Sequence, residues 1–175
     1  GRMHDLCDRF PDFAYPMMGL HPTSVDGNYA GNLKTTESYL GKRAYCGIGE
    51  IGIDLYWDKT YLKEQKIVFE EQLRWSIDLD LPVAIHTREA YSEVLDSIHK
   101  VGADKLKGVF HSFTGTKDEF GGDRKAKKLQ TGNQWCHNFQ KFETVGNYSM
   151  HRHKSYSTGN RRSLPGSGAL QREKK

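Results

Sequence analysis

The sequence predicts an α/β fold with a parallel sheet over residues 1–120, followed by an irregular basic tail over 121–175. Three observations carry that expectation. Short apolar runs alternate with longer stretches of helical period, the pattern of βαβ units. Runs such as "PVAI" (82–85) are apolar without alternation, as in strands buried on both faces. Composition breaks after Phe120: Leu, Ile, Val, Phe and Met supply 33 of the first 120 residues but only 7 of the last 55.

The elements follow in order. "GRMHDLCDRFPDF" (1–13) reads as the tail of a helix running into a turn, as in a chain that begins in the middle of a fold. "FAYPMMGLHP" (13–22) reads as a strand ending in a polar turn, and "NYAGNLKTTESYL" (28–40) as a helix. "RAYCGIGE" (43–50) is a strand pattern. "YLKEQKIVFEEQLRWSIDLD" (61–80) is helical, because Leu62, Val68, Leu73 and Ile77 recur with roughly helical spacing among Glu, Lys and Gln. "LPVAIH" (81–86) is a strand, "AYSEVLDSIHKVG" (90–102) a helix ending at Gly102, and "LKGVFHSF" (106–113) a strand.

Charge divides the chain at the same place. Residues 1–120 carry 14 basic and 19 acidic side chains, a net of −5, whereas residues 121–175 carry 12 and 3, a net of +9. "STGNRRSLPGSGALQREKK" (157–175) shows no period of a helix or a strand. Such a composition fits an unstructured solvated tail or a nucleic-acid-binding arm, and the lack of interleaved aromatics counts against the second. No run of about 18 apolar residues exists, so no membrane span is expected. The start lacks the basic and apolar regions of a signal peptide. Cys7, Cys46 and Cys136 are scattered without a CxxC pair, as in a reducing cytoplasm. No obligate protein partner is evident. At 175 residues the chain suffices for one ordinary domain and is short for a full α/β barrel.

Three candidate metal ligands occupy equivalent places: Glu50 after "YCGIG", His86 ending "VAIH" and His111 ending "VFH". The C-terminal ends of parallel strands open onto one face, so residues far apart in sequence converge there. One Glu and two His suit a divalent ion such as zinc or manganese. That ion would lower the pKa of bound water and polarise a phosphoryl or carbonyl oxygen. Taken singly, each residue also fits a structural role, Glu50 as a cap or ion-pair partner and each His as a satisfied strand-end side chain. Arg88 is a candidate for holding phosphate or for pairing with Glu89. Asp54 either supports a ligand or starts the turn into "LYWDKT". His21, in "GLHP", either lines the same face, where with Arg88 it is a candidate for holding substrate phosphate, or shapes the turn before Pro22. His151 and His153, in "MHRH", imitate a metal-binding HxH.

The motifs "GLHP", "GIGEIGIDLYWD", "LPVAIHTREA" and "GVFHSFTG", in that order, resemble consecutive signatures of the TatD family of metal-dependent deoxyribonucleases. The resemblance covers about residues 1–120. It implies a TIM-barrel hydrolase that cleaves DNA phosphodiester bonds with one or two divalent ions (Mg, Mn or Zn). By position it implies Glu50 as a ligand shared between two ions and His86 and His111 as ligands of one of them. The family's first strand carries an HxH motif, and this chain starts after it. The family's later Asp, in a motif read "ETDAPYL", is also absent. The expectation is therefore an incomplete TIM (β/α) barrel, with no intact catalytic residue set and impaired activity. Permissible codons from Gly121, read one nucleotide forward, can spell "IVLETDAPYLAPVPYRGK", with the missing Asp spread across Arg161 and Arg162. A one-nucleotide insertion near codon 120 would make the tail's charge, and His151 and His153, incidental. Three other readings stay open: a hydrolase of the same superfamily acting on an ester, amide or small cyclic substrate; a nucleic-acid-binding protein using the tail; and an inert fragment.

Overall fold

The computed structural model describes residues 1–111 and 129–131. The rest of the basic tail, including His151, His153, Arg161 and Arg162, lies outside the described residues. Helix α1 (Arg2–Arg9) leads to strand β1 (Met17–Met18), a 3-10 turn (Pro22–Ser24) and helix α2 (Tyr29–Leu40). Then come β2 (Gly47–Asp54), α3 (Leu62–Asp78), β3 (Val83–Arg88), α4 (Tyr91–Val101), a second 3-10 turn (Ala103–Lys105), β4 (Gly108–His111) and β5 (Leu129–Thr131).

The strands form one parallel sheet in the order β1-β2-β3-β4-β5. Each strand is added on the same side as the last. With right-handed crossovers, that order places the intervening helices on one face and winds the sheet as a barrel wall, with no reversal point. Several elements differ from the sequence reading: β1 is only Met17–Met18, and β3 continues past His86 to Arg88. β2 starts at Gly47 and runs on to Asp54, because Ile51 and Ile53 continue the buried strand past Glu50. β5 pairs with β4 through Leu129 to Thr131, and Leu129 is buried although it comes from a segment poor in apolar residues.

Helix α3 shows why the sheet is covered. Gln65, Val68, Phe69, Gln72, Leu73 and Ser76 are all buried, a stripe at spacings of three and four that forms one helix face. That face packs on β2, and α4 packs beside it through Val94 and Ile98. Val68, Phe69 and Leu73 contribute roughly 1.5–3 kcal/mol each on burial. The three polar members of the stripe are all satisfied. Ser76 Oγ donates to the Leu81 carbonyl at 2.9 Å, Gln65 bonds to the backbone of Asp54 at the end of β2, and Gln72 to that of Leu20 just beyond β1. Gly102, at φ +119°, ends α4 where the sequence predicts it.

Candidate metal centre

Glu50 sits in an irregular stretch of β2. Ile48 pairs with Val83 and Ile51 with Ile85, so β2 carries one residue more than β3 across this interval. An extra residue of that kind bends a strand and re-aims a side chain. Glu50 thereby reaches the ring of His86 on the neighbouring strand, its Oε1 3.2 Å from Nδ1. Just beyond, Gly52 pairs with His86 at φ +148°, and a Cβ on it would stand 1.9 Å from the His86 carbonyl oxygen. The two backbones approach so closely that only glycine fits.

The other nitrogen of His86 is held as well. Asp54 Oδ2 lies 2.8 Å from Nε2. Asp54 is itself buried and fixed: its Oδ1 accepts from the Tyr56 N–H at 3.0 Å, and its own N–H donates to Gln65 Oε1 at 2.8 Å. Gln65 Nε2 returns a bond to the Asp54 carbonyl at 3.2 Å. His86 is held above the usual histidine pKa, chiefly by its hydrogen bond to Glu50, with Asp54 adding to it and burial opposing. Glu50 is held below the ordinary carboxylate value by the same bond, against the opposing effect of its own burial.

His21 completes the group. Its Nδ1 is occupied by Thr23, whose hydroxyl lies at 2.8 Å and whose N–H donates at 3.2 Å, leaving Nε2 as the nitrogen for a ligand. Its ring stands 4.8 Å from that of His86, centroid to centroid. Burial, and then the neighbouring His86, lower its pKa, which favours the neutral imidazole that metals bind. The residue before it is clamped by α3: the Leu20 N–H donates to Gln72 Oε1 at 2.6 Å, and Gln72 Nε2 donates to the Leu20 carbonyl at 3.2 Å.

His21, Glu50 and His86 offer ligand atoms that all lie within 4.8 Å of one another. His111 pairs with His86 in the sheet register and is exposed at the end of β4. It stands near enough to help lower the Glu50 pKa, but its nitrogens lie outside that close group. Arg88 points its guanidinium over the Tyr56 ring, 3.5 Å from the centroid. Sequence reasoning left Asp54 undecided and missed both glutamines. The signal for these was present: two polar residues, seven apart, inside the buried stripe of a helix.

The family profile of TatD related DNases matches residues 1–125. An uncharacterized metal-dependent hydrolase of Bacillus subtilis is 32% identical over 107 residues, which are 61% of this chain and 42% of that protein. A 3'-5' ssDNA/RNA exonuclease TatD of Edwardsiella piscicida is 30% identical over 115 residues, 65% of this chain and 44% of that protein. The chain thus spans less than half the length of these relatives. Among solved structures, a TatD homolog from Escherichia coli superposes with a TM-score of 0.58 at 25% identity, covering 75% of this chain and 50% of that one. A TatD family hydrolase from Entamoeba histolytica, at 22% identity and a TM-score of 0.55, covers 75% and 46% and supports the fold alone.

Proposed function

This chain belongs to the family of TatD-related DNases, and on that premise we propose that its chemistry is metal-dependent hydrolysis of phosphodiester bonds in nucleic acid. The observation that carries the reading is the convergence of His21, Glu50 and His86 on one point, with Asp54 behind His86. The donor set fits a divalent ion. Two imidazoles and a carboxylate suit zinc or manganese, and three protein ligands leave positions for water and substrate. A carboxylate that holds the far nitrogen of a ligating His is the usual support for such a ligand.

A divalent ion held there supplies Lewis acidity toward a phosphoryl oxygen and lowers the pKa of water. The protein's own groups do the rest. Glu50 brings the negative charge, Asp54 fixes the ring plane of His86, and Thr23 fixes that of His21. The finer reading is two ions (Mg, Mn or Zn) with Glu50 shared between them and His111 as a further ligand from β4. The adjacency of His111 to His86 across the sheet supports it. Arg88 lies on the same rim, beside the end of β2. The two described cysteines, Cys7 and Cys46, are both free thiols, which is consistent with a cytoplasmic setting. No helix among the described residues is long and apolar enough to cross a membrane.

The test is hydrolysis of a 3'-labelled single-stranded DNA by the purified chain with Mn2+ or Zn2+, beside a small aryl ester. Metal-dependent release of nucleotides that disappears in Glu50→Gln supports the reading. Ester cleavage without DNA cleavage favours the other hydrolases of the superfamily and sinks it.

A further inference from the structure

Two aromatic rings and a guanidinium project from the rim of the candidate metal centre. Trp57 is 80% exposed and Tyr56 44%. The two rings meet edge to face with centroids 4.6 Å apart and planes at 88°. Arg88 lies 3.5 Å from the Tyr56 centroid and 5.9 Å from that of Trp57. The three side chains thus form one ordered unit, yet most of the indole surface faces solvent. Their backbones are tied to the strand ends that hold His86: Leu55 N–H donates to the Arg88 carbonyl at 3.0 Å, and Tyr56 N–H donates to the carboxylate that grips His86.

We propose that Tyr56, Trp57 and Arg88 form a stacking platform for an unpaired nucleobase of the substrate strand. This rests on the nucleic-acid reading above. A base presents a flat π-face whatever its identity, and an exposed indole stacks on it without sequence preference. Arg88 already sits over an aromatic ring, 3.5 Å from the Tyr56 centroid, and still carries a full charge for the neighbouring phosphate. The span is right. Tyr56 and Trp57 follow Asp54 by two and three residues, so their Cα atoms lie within roughly 7 and 11 Å of its own. That is about two to three steps of a stacked strand at about 3.4 Å each. A base on Trp57 would therefore lie within a few nucleotides of the strand end that holds His86.

The experiment measures binding of the full chain, in EDTA to prevent turnover, to a fluorescent ten-nucleotide deoxyadenosine strand and to an abasic backbone of the same length. The unsubstituted chain is expected to prefer the base-bearing strand by about tenfold. Trp57→Ala should abolish the preference by lowering affinity for the base-bearing strand alone. Trp57→Phe should restore most of it. Arg88→Lys, which keeps the charge and loses the planar group, should weaken it. Far-UV circular dichroism confirms that each variant is folded, as the exposure of Trp57 leads one to expect. A preference that survives Trp57→Ala, or an equal loss for both strands, overturns the platform while the nucleic-acid reading stands. Failure of the unsubstituted chain to bind either strand overturns the platform, and loss of metal-dependent DNA hydrolysis in the separate assay is what overturns the nucleic-acid reading.

Discussion

His86 Nδ1 stands 3.2 Å from Glu50 Oε1, a contact between neighbouring parallel strands that exists because β2 carries one extra residue beside β3. It makes the two groups titrate in opposite directions, His86 upward and Glu50 downward. The stabilising contribution of His86 is complete below its ordinary pKa of 6.5 and fades as the pH rises through its raised value. That of Glu50 is complete above its ordinary 4.5 and fades as the pH falls through its lowered value. Both are present between 4.5 and 6.5. In chelator, the denaturation midpoint of the unsubstituted chain should exceed that of Glu50→Gln by most within this window. A difference that is flat from pH 4 to 9 would show that the pair is not coupled.

Metal affinity should sort the site residues by what they touch. Glu50→Gln replaces the charged carboxylate with a neutral amide and His86→Ala removes a ligand ring, and the two should cost the most in calorimetric titrations with Mn2+ or Zn2+. Asp54→Asn keeps the shape but loses the charge behind Nε2, and should weaken binding by about 10- to 100-fold. His111→Ala is expected to produce a measurable but smaller loss than either ligand substitution, since its nitrogens lie outside the close group. Unchanged affinity in Asp54→Asn would leave the carboxylate as a packing group only.

Gly52 should tolerate no side chain. Its φ of +148° and the His86 carbonyl oxygen, 1.9 Å from where a Cβ would stand, combine strain with collision. The backbone conformation alone costs a residue with a Cβ on the order of 1–3 kcal/mol, and the collision can be relieved only by moving β3. Gly52→Ala should therefore lower stability by more than that strain and also weaken metal binding, because His86 moves with its strand. A variant that lost stability yet bound metal normally would show that β3 does not carry the strain.

Much of this was legible from residues, and the failures have causes. The strands and helices of residues 43–111 follow from continuous apolar runs and one clear helical stripe. Glu50 and His86 read as strand-end residues, yet both lie inside their strands, β2 running on to Asp54 and β3 to Arg88. What misled was the length of β2: "GID" continues an apolar strand, so Glu50 lies inside it and Asp54 at its end. The approach of Glu50 to His86 depends on an irregular register, which no sequence period reports. His21 joined the group through a tertiary clamp on Leu20, 52 residues away from its partner. A contact of that range leaves no local pattern, only a glutamine where an aliphatic residue would be expected.

That glutamine and its companion make the last prediction. Gln65 and Gln72 lie seven residues apart on the buried face of α3, about 10 Å along the helix axis. Each exchanges two hydrogen bonds with one backbone residue, Asp54 in one case and Leu20 in the other. Their effect is to hold the carboxylate behind His86 and the approach to His21 against the same helix. Gln72→Leu keeps the volume but leaves the Leu20 N–H and carbonyl without partners, at a cost on the order of 1–3 kcal/mol. Loss of stability alone would be ordinary for a buried residue. The comparison is therefore Phe69→Ala, on the same face, expected to cost about 3–5 kcal/mol through a cavity. Under conditions where both variants remain folded, metal affinity should fall in Gln72→Leu and in Gln65→Leu but hold in Phe69→Ala, although the last is the least stable. If affinity simply tracked stability across the three, the glutamines would be part of the core and no more.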